Sequence, residues 1–175
     1  CVPPGGDARP RRGVVVSLID LTGREGLERH RDGYEQAMAE LVGDLVTRRG
    51  EQVTLVSFCP IEGDEAAIDR VLALLSDDTR RSITTYRYGG DIDGILHVLR
   101  GADTVVATRF HAMVLGFAFG ARVCCVEYSN KVTNALRDLD ATGLGWKLEE
   151  FVGATREERY RRIDALEPWQ PGGIG

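Results

Sequence analysis

Long apolar runs and an excess of positive charge are both missing from this sequence. The longest apolar stretch, residues 112–121, is ten residues long, whereas a helix that crosses a bilayer needs about twenty. The formal net charge is −5 at pH 7. We therefore expect no transmembrane segment, and no general affinity for nucleic acid or for an anionic membrane surface.

Cysteine is scarce, and its spacing fits no metal motif. The cysteines at positions 1, 59, 124 and 125 form no CxxC pair, and no histidine stands near them at ligand spacing. Cys124 and Cys125 fall within an apolar run, so we expect reduced, buried thiols and no metal site. No apolar signal segment precedes the first predicted strand. These features favour a cytoplasmic protein.

Three common catalytic motifs are also absent. Neither GxGxxG nor GxxxxGKS/T occurs, which removes the main support for a dinucleotide or P-loop site. GxSxG is missing too, which argues against an α/β-hydrolase triad. The stretch from Asp91 is superficially similar to a calcium loop, but Ile95 and Ala102 stand where such a loop needs oxygen ligands. We therefore expect Asp91 to cap a helix.

What the sequence does contain is an alternation of β-branched runs and helical segments. Strands are predicted at residues 13–19, 53–58, 82–86, 104–108 and 122–127, and helices at 30–49, 65–76, 91–99, 109–119, 132–138 and 156–166. Strands separated by helices pair in parallel through right-handed crossovers. Strands without polar alternation are covered on both faces. The pattern predicts a doubly wound, mostly parallel five-stranded sheet in a Rossmann-like α/β domain.

The two ends of the chain differ from its middle in composition. Residues 1–12 are rich in Pro, Gly and Arg, and residues 171–173 read Pro-Gly-Gly. We expect a linker or excised edge at 1–12, one α/β domain at 13–168 and a flexible tail at 169–175. The predicted domain is long enough to bury a sizeable core of its own.

Two charged or titratable residues interrupt an apolar segment where the fourth strand gives way to a helix. Arg109 and His111 would be costly there unless they face a cleft or a partner. A helix N-terminus attracts anions, and an arginine adds a planar fork for carboxylate or phosphate. A histidine can bind the same anion or move a proton. The alternative is a structural ion pair between Arg109 and an acid, with His111 hydrogen-bonded to the backbone.

The predicted topology also suggests which loops meet at this point. In a doubly wound sheet the ligand crevice lies at the carboxyl ends of the strands, where the strand order reverses. With a strand order of 3-2-1-4-5, the loops after strands one and four meet there. Residues 20–25 would then lie beside Arg109 and His111, which makes Asp20 a candidate binding residue.

The order of motifs from Asp103 onward resembles the carboxyl-terminal half of the polysaccharide pyruvyl transferase family. That family carries an aspartate, a short strand, Ser-Arg-Leu-His, an apolar helix, a strand and Tyr-x-x-Lys. Here Asp103, the tetrapeptide Thr-Arg-Phe-His at 108–111 and the segment from Tyr128 to Lys131 follow in that order. The detailed resemblance covers about thirty residues.

The resemblance implies one Rossmann-like half of a GT-B-type (glycosyltransferase-B) enzyme, completed across a cleft by a missing N-terminal domain. Such enzymes use phosphoenolpyruvate, an anionic small-molecule donor, to place a pyruvate ketal on saccharide hydroxyls of a cell-surface polysaccharide. Arg109 would hold the donor's phosphate or carboxylate, and His111 would bind the anion or transfer a proton. Thr108, Tyr128 and Lys131 would line the substrate cleft. No metal or redox cofactor is implied.

Two residues depart from the family's pattern, and two other functions stay open. Ile19 stands where the family often has an arginine, so one donor contact is lost unless Arg24 replaces it; Phe110 replaces the usual leucine. A nucleotide-sugar glycosyltransferase half of the same fold would use an acid to hold a ribose, with Glu127 as the candidate. A non-catalytic binding module would keep the fold with only part of the site, which the change at Ile19 favours.

Overall fold

Short β-branched runs form a parallel sheet in the computed structural model, which describes residues 12–170. The strands are β1 (Val14–Ser17), β2 (Val53–Ser57), β3 (Ile83–Arg87), β4 (Thr104–Ala107), β5 (Arg122–Glu127) and β6 (Gly145–Lys147). Their order across these described residues is β3-β2-β1-β4-β5-β6, with every neighbouring pair parallel. The predicted α/β class and the order of the first five strands are confirmed.

The predicted strand count of five is corrected to six. β6 was missed because it is three residues long and reads Gly-Trp-Lys, with no β-branched residue to signal a strand. Trp146 pairs with Val126 of β5 and is 6% exposed. Its ring meets that of Phe151 edge to face, with centroids 5.4 Å apart. One buried aromatic residue therefore anchors this edge strand.

The helices agree with the sequence pattern except for two short ones. They are α1 (Arg31–Thr47), α2 (Asp64–Ala73), α3 (Asp77–Arg81), α4 (Ile92–Gly101), α5 (Phe110–Ala118), α6 (Asn130–Asp138), α7 (Leu148–Gly153) and α8 (Arg156–Asp164). The helices α3 and α7 span five and six residues, too few for a helical period to stand out. Within residues 12–170, no helix has the length and apolar character needed to cross a membrane.

Helices cover both faces of the sheet, as the doubly wound pattern predicts. Along β1, Val14 and Val16 join one buried cluster with residues of α1, α2, α7 and α8. Val15 points the other way, into a second cluster with residues of α4, α5 and α6. Because successive side chains of a strand face opposite sides, an unbroken run of valines is what a sheet buried on both faces requires.

Asp91 caps a helix, which confirms the prediction of a helix cap in place of a calcium loop. Its side-chain Oδ1 accepts a hydrogen bond from the backbone N–H of Gly94 at 3.0 Å. That contact satisfies one of the free donors at the start of α4.

Cys124 and Cys125 are free and buried, as predicted. Burial raises the pKa of Cys124 to about 11, because the thiolate would lose its hydration. Cys59 is free and half-buried, and Cys1 lies outside the described residues. In the described range 12–170, no three His, Cys, Asp or Glu side chains are grouped as a metal site.

The predicted domain boundaries stay predictions, since most of both ends lie outside the described residues. Of the residues that are described, Arg12 donates its backbone N–H to Gly101 O at 3.1 Å. The ring of Trp169 lies 5.1 Å from that of Phe117. Arg12 is therefore bonded to the end of α4, and Trp169 packs against α5.

Candidate functional site

The candidate site lies at the carboxyl ends of three adjacent strands, β2, β1 and β4. The segments that follow them are residues 18–25, 58–64 and 108–111. Because β1 stands between β2 and β4, the strand order reverses at this edge, which is where doubly wound sheets bind ligands. The predicted meeting of the loops after the first and fourth strands is thereby confirmed.

A buried hydroxyl joins β1 to the start of α5. Ser17 Oγ accepts hydrogen bonds from the backbone N–H groups of Thr108 and Arg109, at 3.0 and 3.1 Å. Thr108 is fully buried, and its own hydroxyl lies 2.9 Å from the hydroxyl of Tyr34. Burial raises the pKa of Tyr34. In this structure Thr108 therefore contacts the core of the site rather than its open side.

Arg109 forms a buried ion pair with an acid from α2. Its Nε donates to Asp64 Oδ1 and Oδ2 at 3.1 and 3.0 Å, and its Nη2 also donates to Oδ1. The same carboxylate accepts from the backbone N–H groups of Phe58 and Cys59, at 3.0 and 2.9 Å. Burial alone would lower the pKa of Arg109, but its acidic partners raise it. The structural ion pair left open by the sequence is thus present.

A second, exposed acid links Arg109 to Arg24. Glu62 Oε2 accepts from Arg109 Nη1 and from Arg24 Nη2, each at 2.5 Å. These two guanidinium groups lower the pKa of Glu62 to about 2. Arg24 also donates from Nε to the backbone carbonyl of Asp20 at 2.7 Å, and its guanidinium lies 5.8 Å from the ring centre of Tyr128. The structure therefore gathers four of the predicted residues: Asp20, Arg24, Arg109 and Tyr128.

The carboxylate of Asp20 is turned away from this pair of arginines. Its Oδ1 accepts from the backbone N–H of Thr22 and from Arg70 Nη2, each at 2.8 Å. Burial would raise the pKa of Asp20, but the Thr22 hydrogen bonds and the charge of Arg70 outweigh it and lower the pKa. Arg70 also donates to Glu35 at 2.8 Å. Asp20 is therefore held in an internal network, and only its carbonyl contacts Arg24.

His111 and Lys131 lie on the open side of the site. His111 is exposed, and its ring is nearly parallel to that of Phe58, with centroids 6.4 Å apart. Phe110 meets the same imidazole edge to face at 5.9 Å. Lys131 Nζ lies 4.2 Å from the ring centre of Phe110. Both basic side chains thus border one aromatic surface, which cation–π attraction stabilises on the lysine side.

Glu62 and Asp64 are the site residues that the sequence analysis missed, since they fall between the predicted strand at 53–58 and the predicted helix at 65–76. Acids just before or at the start of a helix are common, because the positive end of the helix dipole stabilises them. Their position in the sequence therefore gave no sign that they pair with Arg109. The two acids offset the charge of Arg24 and Arg109. The guanidinium of Arg109 is consequently enclosed by carboxylates rather than open.

Glu127, the candidate acid for a nucleotide-sugar enzyme, already has partners. Its Oε2 accepts from Thr133 Oγ1 and from Lys147 Nζ, each at 2.5 Å. The Glu127 side chain is 8% exposed. A carboxylate so enclosed has little room to receive the two hydroxyls of a ribose.

Two solved structures share this architecture. A mutant O-GlcNAc transferase from Thermobaculum terrenum superposes with a TM-score of 0.52 and 14% identity, over 92% of this chain and 34% of its own. A protein named as a UDP-N-acetylglucosamine 2-epimerase from Listeria monocytogenes gives a TM-score of 0.51 and 15% identity, over 93% and 42%. The chain spans less than half the length of either. The fold is that of an α/β domain of the GT-B type.

Within that class, the sequence itself gives the family. The profile of the polysaccharide pyruvyl transferase family matches residues 18–130, more than half of the chain. The chain belongs to this family, which is a family of transferase enzymes. A search of curated proteins gave no match. The matched range includes Arg24, Arg109 and His111, and it ends one residue before Lys131.

Proposed function

We propose that the chain is a pyruvyl transferase half-domain that binds phosphoenolpyruvate at the carboxyl edge of its sheet. An N-terminal domain would complete the cleft and bring a saccharide acceptor of a cell-surface polysaccharide. One observation carries the proposal: Asp64 and Ser17 fix Arg109 at the start of α5, with His111 exposed two residues later. Membership in the family supports the same function.

Each basic residue has a role in this proposal. Arg109 would bind the donor's carboxylate or phosphate through Nη1, the nitrogen that now faces the exposed Glu62. Arg24 would supply a second guanidinium, in place of the arginine that Ile19 replaces. The free N–H groups at the start of α5 would favour the anion further. Tyr128 and Lys131 would line the entrance.

His111 is proposed to bind the anion or to move protons. Protonation of the enol methylene group makes the adjacent carbon electrophilic, and two saccharide hydroxyls attack it in turn. Two O–H bonds break and two C–O bonds form, while the bond to the phosphate oxygen breaks. One hydroxyl proton is balanced by the new methyl group and the other by the released phosphate. Charge at the leaving phosphate would be stabilised by Arg109 and the helix terminus.

The proposed scheme includes no redox cofactor, because adding two hydroxyls at the enol carbon and releasing phosphate involves no net oxidation or reduction. None of its steps is assigned to a metal. We place the reaction in the cytoplasm, where free thiols such as those of Cys124 and Cys125 persist.

The experiment compares His111→Ala with His97→Ala, an exposed histidine on α4. Calorimetry would measure phosphoenolpyruvate binding to this chain. Phosphate release would be followed with the variants placed in the enzyme that carries the N-terminal domain, with saccharides that have neighbouring hydroxyls. We expect His111→Ala to weaken binding at least tenfold or to abolish phosphate release, and His97→Ala to change neither by more than about twofold. Equal behaviour of the two variants would refute the role of His111. Saturable binding of a nucleotide sugar, with none of phosphoenolpyruvate, would favour a glycosyltransferase.

A further inference from the structure

One carboxylate oxygen of Glu62 is shared by two arginines from different loops. Arg24 follows β1 and Arg109 follows β4, and both donate to Glu62 Oε2 at 2.5 Å. Two guanidinium groups that converge on a single carboxylate oxygen form a binding arrangement for a small carboxylate or phosphate. In this structure the carboxylate of Glu62 supplies the anion between Arg24 and Arg109.

The two acids that face Arg109 differ in how firmly they are held. Asp64 is fully buried and accepts two backbone N–H groups besides the guanidinium, so it cannot leave without stranding those donors. The Glu62 side chain is 47% exposed and lies in a single turn, Pro60–Glu62. Its neighbour Ile61 is 99% exposed, so moving this turn uncovers no core. Arg109 therefore has one permanent partner and one exchangeable partner.

We propose that Glu62 occupies the Arg24–Arg109 pair until an anionic donor displaces it, and that this competition determines which anions the site accepts. A singly charged carboxylate would only replace the charge that Glu62 already supplies. A ligand with both a carboxylate and a phosphate brings more charge and more acceptor oxygens to the same donors. The naming of phosphoenolpyruvate as that ligand rests on the proposed function; the displacement does not.

Other charged groups near the pair do not compete for this position. The Asp20 carboxylate is bound to Arg70 and to the backbone of Thr22. Glu65, in the first turn of α2, faces Arg87 at 3.5 Å instead. Glu65 therefore offers a matched control, since its loss removes one negative charge from the same region without touching either arginine of the pair.

Calorimetric titrations of the wild-type chain, Glu62→Gln and Glu65→Gln with phosphoenolpyruvate, pyruvate and inorganic phosphate test this inference. We expect Glu62→Gln to bind phosphoenolpyruvate at least tenfold more tightly than the wild type does. It should also bind pyruvate, which the wild type should bind at least tenfold more weakly. Glu65→Gln should stay within about twofold of the wild type for all three anions, which separates displacement from a general change in charge.

The possible outcomes distinguish this inference from the proposed function. Unchanged or weaker anion binding by Glu62→Gln overturns the inference, even if His111→Ala still weakens phosphoenolpyruvate binding and so supports the proposed donor. Tighter binding of all three anions, without preference for phosphoenolpyruvate, supports displacement and overturns the proposed donor. No binding of any of the three anions to any of the proteins overturns both.

Discussion

Both carboxylate oxygens of Asp64 accept hydrogen bonds from Arg109 Nε, at 3.1 and 3.0 Å, although the two residues are 45 positions apart in the chain. This pair joins the first turn of α2 to the start of α5. The acid is fully buried and the arginine is 8% exposed. Arg109 is consequently part of the structure of this edge of the sheet as well as a candidate ligand for the donor.

The first prediction is that Asp64→Asn destabilises the protein strongly. Removing the charge leaves Arg109 in a buried position without its main partner, and breaking a buried pair in this way costs about 3–5 kcal/mol. Urea unfolding of both proteins measures the difference. Asp69→Asn is the control, because Asp69 pairs with Arg87 at the surface and should cost less than about 0.5 kcal/mol. Equal effects would show that the buried pair contributes little.

Most of the fold can be predicted from the sequence because its central strands carry runs of apolar, β-branched residues. Val14, Val15 and Val16 are apolar on both faces, and such a run separated by helices leaves few topologies. The edge of the sheet is different. β6 is held in place by the burial of Trp146 beside Phe151. This is a tertiary contact that no local sequence pattern indicates.

The site was only half visible, for a related reason. Arg109 stands out because a charge within an apolar run needs a partner. Its partner does not stand out, since Asp64 begins a helix where an acid is ordinary. Glu62 is equally unremarkable on a polar turn. The sequence therefore indicates that a compensating group exists, whereas only the folded chain shows which acids provide it.

A second prediction concerns the hydroxyl of Ser17. Ser17→Ala removes the acceptor of two buried N–H groups, those of Thr108 and Arg109, so we expect a loss of about 2 kcal/mol. Hydrogen exchange at these two amides should accelerate. Ser82→Ala is the comparison, because the hydroxyl of Ser82 donates to Asp78 O on an exposed helix. If Ser17→Ala resembled Ser82→Ala in both measurements, the hydroxyl would not be holding the start of α5.

A third prediction isolates a close approach at the glycine between Glu62 and Asp64. Gly63 has φ of +83°, and a Cβ there would lie 2.6 Å from Asp20 Oδ2. Gly50 has φ of +65° with open space around it. Gly50→Ala should therefore cost about 1 kcal/mol from backbone strain alone, and Gly63→Ala at least about 1 kcal/mol more. Thermal unfolding measures both. Equal costs would mean that the Asp20 side chain moves away from the new Cβ without an energetic penalty.

The last prediction follows from the ionisation of Glu62. Arg109 and Arg24 lower its pKa to about 2, below the ordinary value, so the ionised form stabilises the folded state above about pH 4.5. This contribution is lost as the pH falls toward 2. It should stay below about 1 kcal/mol, because the side chain is 47% exposed and solvent screens the pair. The difference in unfolding free energy between wild type and Glu62→Gln should therefore shrink between pH 5 and about 2.5, and a constant difference would contradict the pairing. Glu62→Gln should thus lose stability near neutral pH while gaining affinity for anions, the opposition expected where a protein holds a binding site closed with its own charge.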